Sequence, residues 1–198
     1  MQVIKHKEPQ PDKKPIIYLY PEETTTINVK LAYQGTLTTT YPKYNTSKGW
    51  AVEAQPNGTL LDASTQKEYY GLYWEGESYW PYDLSTGFVV KGENSADFLD
   101  KKLAQLGLSR REANEFIVYW LPQLEKNNYN LIHFAQEDYR ALAQLEISPQ
   151  PETLLRVFMV FRALDQSIDI IEQDLPTVER KGFTVVEWGG TELPKQHN

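Results

Sequence analysis

The sequence predicts an α+β fold: an N-terminal antiparallel β-sandwich-like part, then two helices packed on a mainly antiparallel sheet. Three observations predict it. Residues 16 to 92 alternate apolar and polar side chains, with turn residues about every eight to twelve positions. The period then changes to that of a helix for two segments between residues 94 and 124. Strand patterning returns afterwards and holds to Trp188.

The elements follow in order. Ile16-Ile17-Tyr18-Leu19-Tyr20 is an apolar run closed by Pro21, and Ile27, Val29, Leu31 and Tyr33 alternate with polar neighbours, as in a strand with one buried face. Leu37, Thr39 and Tyr41 form a threonine-rich strand ended by Pro42. Trp50, Val52 and Ala54 alternate next, and Pro56-Asn57-Gly58 turns the chain into Thr59-Leu60-Leu61. Lys67 to Glu75 and Gly87 to Lys91 add two β-rich runs.

Asn94-Ser95 opens a helix with Phe98, Leu99, Leu103 and Leu106 on one stripe, stopped by Gly107. Ser109-Arg110-Arg111-Glu112 is a capping box before Ala113, Phe116, Ile117, Trp120, Leu121 and Leu124, and Pro122 predicts that this second helix kinks or ends near Trp120. Asn130 to Gln136, Ala141 to Ile147 and Leu154 to Ala163 read as strands, with a short helix from Ala141 to Leu145 as the alternative for the middle one. Phe183 to Trp188 is a last β-branched run stopped by Gly189-Gly190.

The predicted organisation is a flexible tether over 1–14, a β-sandwich-like module over 15–93, an α+β module over 94–192 and a tail over 193–198. The two modules either stand apart or share one core. All six arginines lie between Arg110 and Arg180, while the first 95 residues carry nine lysines and no arginine. Arginine suits partly buried ion pairs because its planar fork binds carboxylates bidentately. The second half is therefore expected to hold the structural pairs, with Arg156 and Arg162 facing Glu187.

Composition excludes whole classes of chemistry. The 198 residues contain no cysteine, which removes disulfides, thiolate metal sites and cysteine nucleophiles. A net charge of −7 with no basic patch argues against nucleic acid as a partner. No apolar run reaches the roughly 20 residues of a membrane helix. Of three histidines only His133 lies in a patterned element, where a half-buried, hydrogen-bonded side chain outweighs a catalytic one. No metal or cofactor is expected.

Two constellations remain. Seven of the fourteen residues from Tyr69 to Tyr82 are aromatic. Aromatic faces stack on sugar rings or apolar ligands, so Tyr73, Trp74, Glu75, Tyr79, Trp80 and Tyr82 form a candidate surface for a glycan or a peptide. Trp74 is weighed as strand core, and Tyr79, Trp80 and Tyr82, in a proline-broken loop, as the better surface residues. The second constellation is Glu75, Glu115 and Glu187, each beside an aromatic residue. Two of them could hydrolyse a glycosidic bond if they shared one cleft at roughly 5 to 9.5 Å. Against this stands pairing of the glutamates with arginine.

Several segments resemble a family of uncharacterised bacterial proteins that are often secreted or lipid-anchored. They are Lys14-Pro15-Ile16-Ile17-Tyr18-Leu19-Tyr20-Pro21, Leu37 to Pro42 with Gly49-Trp50, Tyr73-Trp74-Glu75-Gly76, Gly87 to Gly92, Glu112 to Pro122, Arg156 to Met159 and Gly182 to Thr191. The resemblance implies a single module outside the cytoplasm and brings no established activity. The sequence thus points first to a non-enzymatic extracytoplasmic binding module. A carbohydrate-active hydrolase using paired glutamates is the alternative, and a spacer domain of a surface protein is a third.

Overall fold

Three layers form because one sheet is apolar on both faces. In the computed structural model, which describes residues 8–195, the chain runs β1 (Gln10–Tyr20), β2 (Thr25–Tyr33), β3 (Thr36–Tyr41), β4 (Trp50–Ala54), β5 (Leu60–Asp62), β6 (Glu68–Tyr69), β7 (Leu72–Ser78) and β8 (Thr86–Lys91). A 3₁₀ turn at Gly92–Asn94 leads into α1 (Ser95–Gln105) and α2 (Arg110–Leu124). Then come β9 (Tyr129–Phe134), α3 (Gln136–Leu142), β10 (Ala143–Ser148), β11 (Thr153–Leu164), β12 (Ile171–Glu172) and β13 (Thr184–Leu193).

The larger sheet has eight strands in the order β12-β8-β9-β11-β13-β1-β7-β3, and the smaller has five in the order β10-β2-β4-β5-β6. Among the described residues only β11 with β13 and β12 with β8 pair in parallel. One face of β11 sends Leu155, Val157, Met159 and Phe161 toward the helices; the other sends Phe158 and Val160 toward the small sheet. Helices α1 and α2 cover the first face with Leu99, Leu103, Phe116, Trp120 and Leu124. The small sheet covers the second with Ile27, Val29, Trp50 and Val52. Burying both faces is what makes a central sheet worth its ordering entropy.

Residue 93 is not a boundary between sheets. The first-half strands β1, β3, β7 and β8 lie in the same sheet as β9, β11, β12 and β13, and β1 pairs along β13 from Lys13 to Tyr20. Strands from both halves of the chain therefore share one sheet. The tether is shorter than the sequence suggested. Residues Gln10 to Lys14 belong to β1, pairing Gln10 with Ser78 and Asp12 with Gly76, and Asp12 is fully buried. Residues 1–7, with His6, and 196–198, with His197, lie outside the described part.

Three local readings also change. Helix α2 continues through Pro122 to Leu124, since the proline sits in the last turn and costs only one ladder bond there. The stretch before β10 is the helix α3, in which Tyr139 and Leu142 plug the inter-sheet core. Strand β13 runs straight through Gly189-Gly190. A Cβ on Gly190 would come within 2.5 Å of the Met159 carbonyl and 2.8 Å of the Trp120 ring, and one on Gly189 within 3.0 Å of Pro15. These glycines admit close neighbours and do not end the strand.

Candidate functional site

Near its start β1 carries an extra residue. Between Asp12 and Ile16 it advances four positions while β7 advances from Gly76 to Tyr73, and between Lys13 and Ile16 it advances three while β13 goes from Gly190 to Trp188. This bulge changes which face the residues address. Asp12 faces the small sheet, as do Ile17 and Leu19, while Ile16 and Tyr18 face the helices. Lys14 takes up the distortion with φ +60, a left-handed conformation uncommon for a side chain of this kind.

Helix α2 lies along β1 in the opposite direction, and three rungs join them. Tyr20 sits at Glu112, which also receives Arg180 and completes the cap on Ser109. Tyr18 donates its hydroxyl to Glu115 at 2.6 Å, and Arg111 donates to the other oxygen of that carboxylate at 3.3 Å. One turn further, about 6 Å along the helix, Tyr119 meets Lys14, whose ammonium is 5.7 Å from its ring centre. The same ammonium lies 5.5 Å from the ring of Tyr73, directly opposite Ile16 on β7. Glu75 accepts the Lys14 backbone N–H at 3.1 Å.

The result is a shelf roughly 20 Å long on the strand rise. Its floor is β1 and β7 and its wall is α2. Tyr18, Tyr20, Tyr70, Tyr73 and Tyr119 line it, with Glu75, Glu115, Lys14 and Arg111 between them. Tyr70 is 53% exposed and lies 6.3 Å from the Tyr18 ring. A hollow of about 120 Å³ opens between Tyr18, Tyr20, Tyr70 and the Asn57-Gly58 turn. Burial raises the phenol pKa of Tyr18, Tyr20, Tyr73 and Tyr119 above its ordinary value, and the nearby Glu115, Glu112 and Glu75 raise it further, so all four remain hydroxyl donors near neutral pH. Burial acts against the charge of Glu112, but Arg180 and the Ser109 N–H outweigh it and lower its pKa.

The predicted site residues divide between this shelf and the core. Tyr73, Glu75 and Glu115 are brought together on the shelf. Trp74, one position along β7, points the other way, is fully buried and donates its indole N–H to Glu187 at 3.0 Å. Glu187 is fully buried too and bound to Arg156 at 2.6 Å, so it faces no cleft and is removed from the candidate catalytic set. Arg162 has no ion pair among the described residues and donates to the Pro194 carbonyl at 3.1 Å. Its expected role as a partner of Glu187 falls, because β13 presents Leu193 opposite it.

The loop after β7 does not form one exposed aromatic patch. Tyr79 is 62% exposed, but Trp80 packs on the inter-sheet core and Tyr82 is only 9% exposed. Tyr82 stacks on Phe158 at 5.8 Å and donates to Asp12 at 3.0 Å. A buried carboxylate needs donors, and this one draws the loop inward to supply one. Tyr33 supplies another. Burial still dominates and raises the Asp12 pKa to about 6 against the hydrogen bonds from Tyr33, Tyr82 and Ser78. A groove of about 380 Å³ remains between Gln34, Thr36, Ser78, Tyr79 and Trp80.

His133 bonds the Thr86 carbonyl at 2.8 Å, and burial lowers its pKa. No group of three metal-ligating side chains occurs among the described residues, and no helix there is long and apolar enough to cross a membrane.

Sequence reasoning missed Lys14, Tyr18, Tyr20, Tyr70 and Tyr119. The signal was present in their spacing: Tyr18 and Tyr20 share a strand face, and Glu115 and Tyr119 are four apart on a helix. Three stretches far apart in sequence contribute here: Lys14, Tyr18 and Tyr20 from β1, Tyr73 and Glu75 from β7, and Glu112, Glu115 and Tyr119 from α2, with Tyr18 and Glu112 buried and the others partly exposed.

The fold and shelf define a three-layer α+β protein with an open, tyrosine-lined face. No protein-family model matches the chain, and no solved structure matches it. Over 67 residues, 33% of this chain and 68% of the relative, it is 42% identical to a protein of Butyrivibrio fibrisolvens described as "Uncharacterized protein in bglA 3'region". The chain belongs to the same family as that protein.

Proposed function

We propose that this protein is a non-enzymatic, extracytoplasmic glycan-binding module whose ligand lies along the shelf between α2, β1 and β7. One observation carries the reading: four tyrosines, Tyr20, Tyr70, Tyr73 and Tyr119, present partly or largely exposed rings with charged groups fixed between them, while the buried Tyr18 contributes only its hydroxyl, to Glu115. Such rings offer stacking faces and directional hydrogen bonds at low entropic cost. Placement outside the cytoplasm rests on the resemblance to secreted and lipid-anchored proteins.

The hydrolase alternative keeps only Glu75 and Glu115, and Glu115 carries the arginine partner which that reading excludes. A glycan panel titrated against the full chain and against Tyr70→Ala and Tyr73→Ala tests the proposal, with Tyr79→Ala as control. The expected result is binding weakened at least about tenfold by each shelf variant and unchanged by Tyr79→Ala. Binding lost with Tyr79→Ala alone, or no glycan bound at all, overturns it.

A further inference from the structure

The charged groups of the shelf are not equivalent. Arg111 is bound to Glu115, and Arg180 to Glu112 and the Gly107 carbonyl. Glu115 is in turn held by Tyr18, and Glu75 by the backbone of Lys14. The Lys14 ammonium has no ion pair or hydrogen bond among the described residues, although Glu75 accepts from its own backbone. It is half-buried between the rings of Tyr73 and Tyr119. Two aromatic faces stabilise a cation without neutralising it, and its three N–H donors have no protein acceptor among the described residues, while the Glu75 carboxylate stands beside the same two tyrosines.

The backbone also holds it there at a cost. Glycine would adopt φ +60 freely, whereas a lysine in this conformation is strained. The strain is confined to the bulge that turns this one side chain onto the shelf, between two residues of β1 that face opposite layers.

We infer that the shelf selects an acidic glycan, taking a sugar carboxylate on the Lys14 ammonium between Tyr73 and Tyr119. This rests on the glycan-binding reading and names its ligand class. A carboxylate is the acceptor that fits, because a charged acceptor makes the strongest hydrogen bond to an ammonium donor. A charge-assisted hydrogen bond in a partly desolvated site is worth about tenfold or more in affinity.

The test is calorimetric titration of the full chain with oligogalacturonate, with its methyl-esterified and therefore neutral form, and with a neutral gluco-oligosaccharide. It is repeated with Lys14→Met, which keeps the aliphatic stem, and with Lys14→Arg. The expected result is about tenfold tighter binding of the acidic form, a preference abolished by Lys14→Met and partly kept by Lys14→Arg. Equal denaturant midpoints for the wild type and Lys14→Met exclude loss of fold as the cause. Equal binding of the acidic and esterified forms, or a preference that survives Lys14→Met, overturns the inference. Binding of only the neutral oligosaccharide overturns it while leaving the glycan-binding reading intact, and binding of no glycan removes both.

Discussion

Tyrosine and carboxylate are used twice in this molecule, once closed and once open. Between the sheets, Tyr33 and Tyr82 donate to Asp12, and Trp74 donates to a Glu187 already bound to Arg156, over whose guanidinium Tyr139 lies 4.5 Å away. On the helix side, the buried Tyr18 donates to Glu115, and Glu115, Tyr119, Lys14 and Glu75 are themselves partly open to solvent. The chemistry is similar and strand parity separates the two: on β7, Trp74 enters the closed cluster while Tyr73 and Glu75 enter the open one. A polar group sealed from water is fixed by the cost of leaving it unpaired. The same group on an open shelf has water as a partner and can exchange it for a ligand.

The largest test of this contrast is on the closed side. Arg156→Met should cost about 3–5 kcal/mol in urea unfolding, because Glu187 is left charged, buried and unpaired. Asp12 should reveal itself through pH. Its folded pKa of about 6 stands above the ordinary aspartate value of 3.8, because burial disfavours the charge. Its contribution to stability is therefore fully present below about pH 3.8 and lost as pH rises through 6. Relative to wild type, Asp12→Asn should gain about 2–3 kcal/mol between pH 4 and pH 8, as linkage requires of a carboxyl that titrates near 6 folded and near 3.8 unfolded. A constant difference between the two proteins across that range would show that the aspartate is not sealed.

Smaller effects sharpen the comparison. Tyr82→Phe removes one donor from Asp12 and should cost about 1–3 kcal/mol at pH 8 by chemical denaturation. Tyr70→Phe, at 53% exposure, should change stability by less than about 0.5 kcal/mol in the same experiment.

Much of this architecture was legible in the sequence. The capping box at Ser109 and Glu112 and the apolar stripe behind it specify α2, since both are local signals. Alternation in Ile27–Tyr33 and Trp50–Ala54 marks strands with one buried face, and the apolar face of Leu155, Val157, Met159, Phe161 and Ala163 marks β11, whose second buried face, with Phe158 and Val160, only the structure shows. The bulge at Lys14 was not legible, because one inserted residue changes parity without changing composition. The tether expected over 1–14 therefore covers the first part of β1, where Asp12 is buried. Tyr82 was misplaced for a related reason: proline and aspartate neighbours describe a loop, but only the buried Asp12, 70 residues away in sequence, decides which way its tyrosine points. The shelf itself joins β1, β7 and α2, so its members were visible only as separate patterns.

The most direct measurement of the central claim is a backbone-amide NMR titration of the full chain with the tightest-binding glycan from the panel. The account predicts shifts that cluster at Lys14 to Tyr20, Tyr70 to Glu75 and Arg111 to Tyr119. Shifts confined to Gln34–Thr36 and Ser78–Trp80, around the groove beside Tyr79, would contradict it.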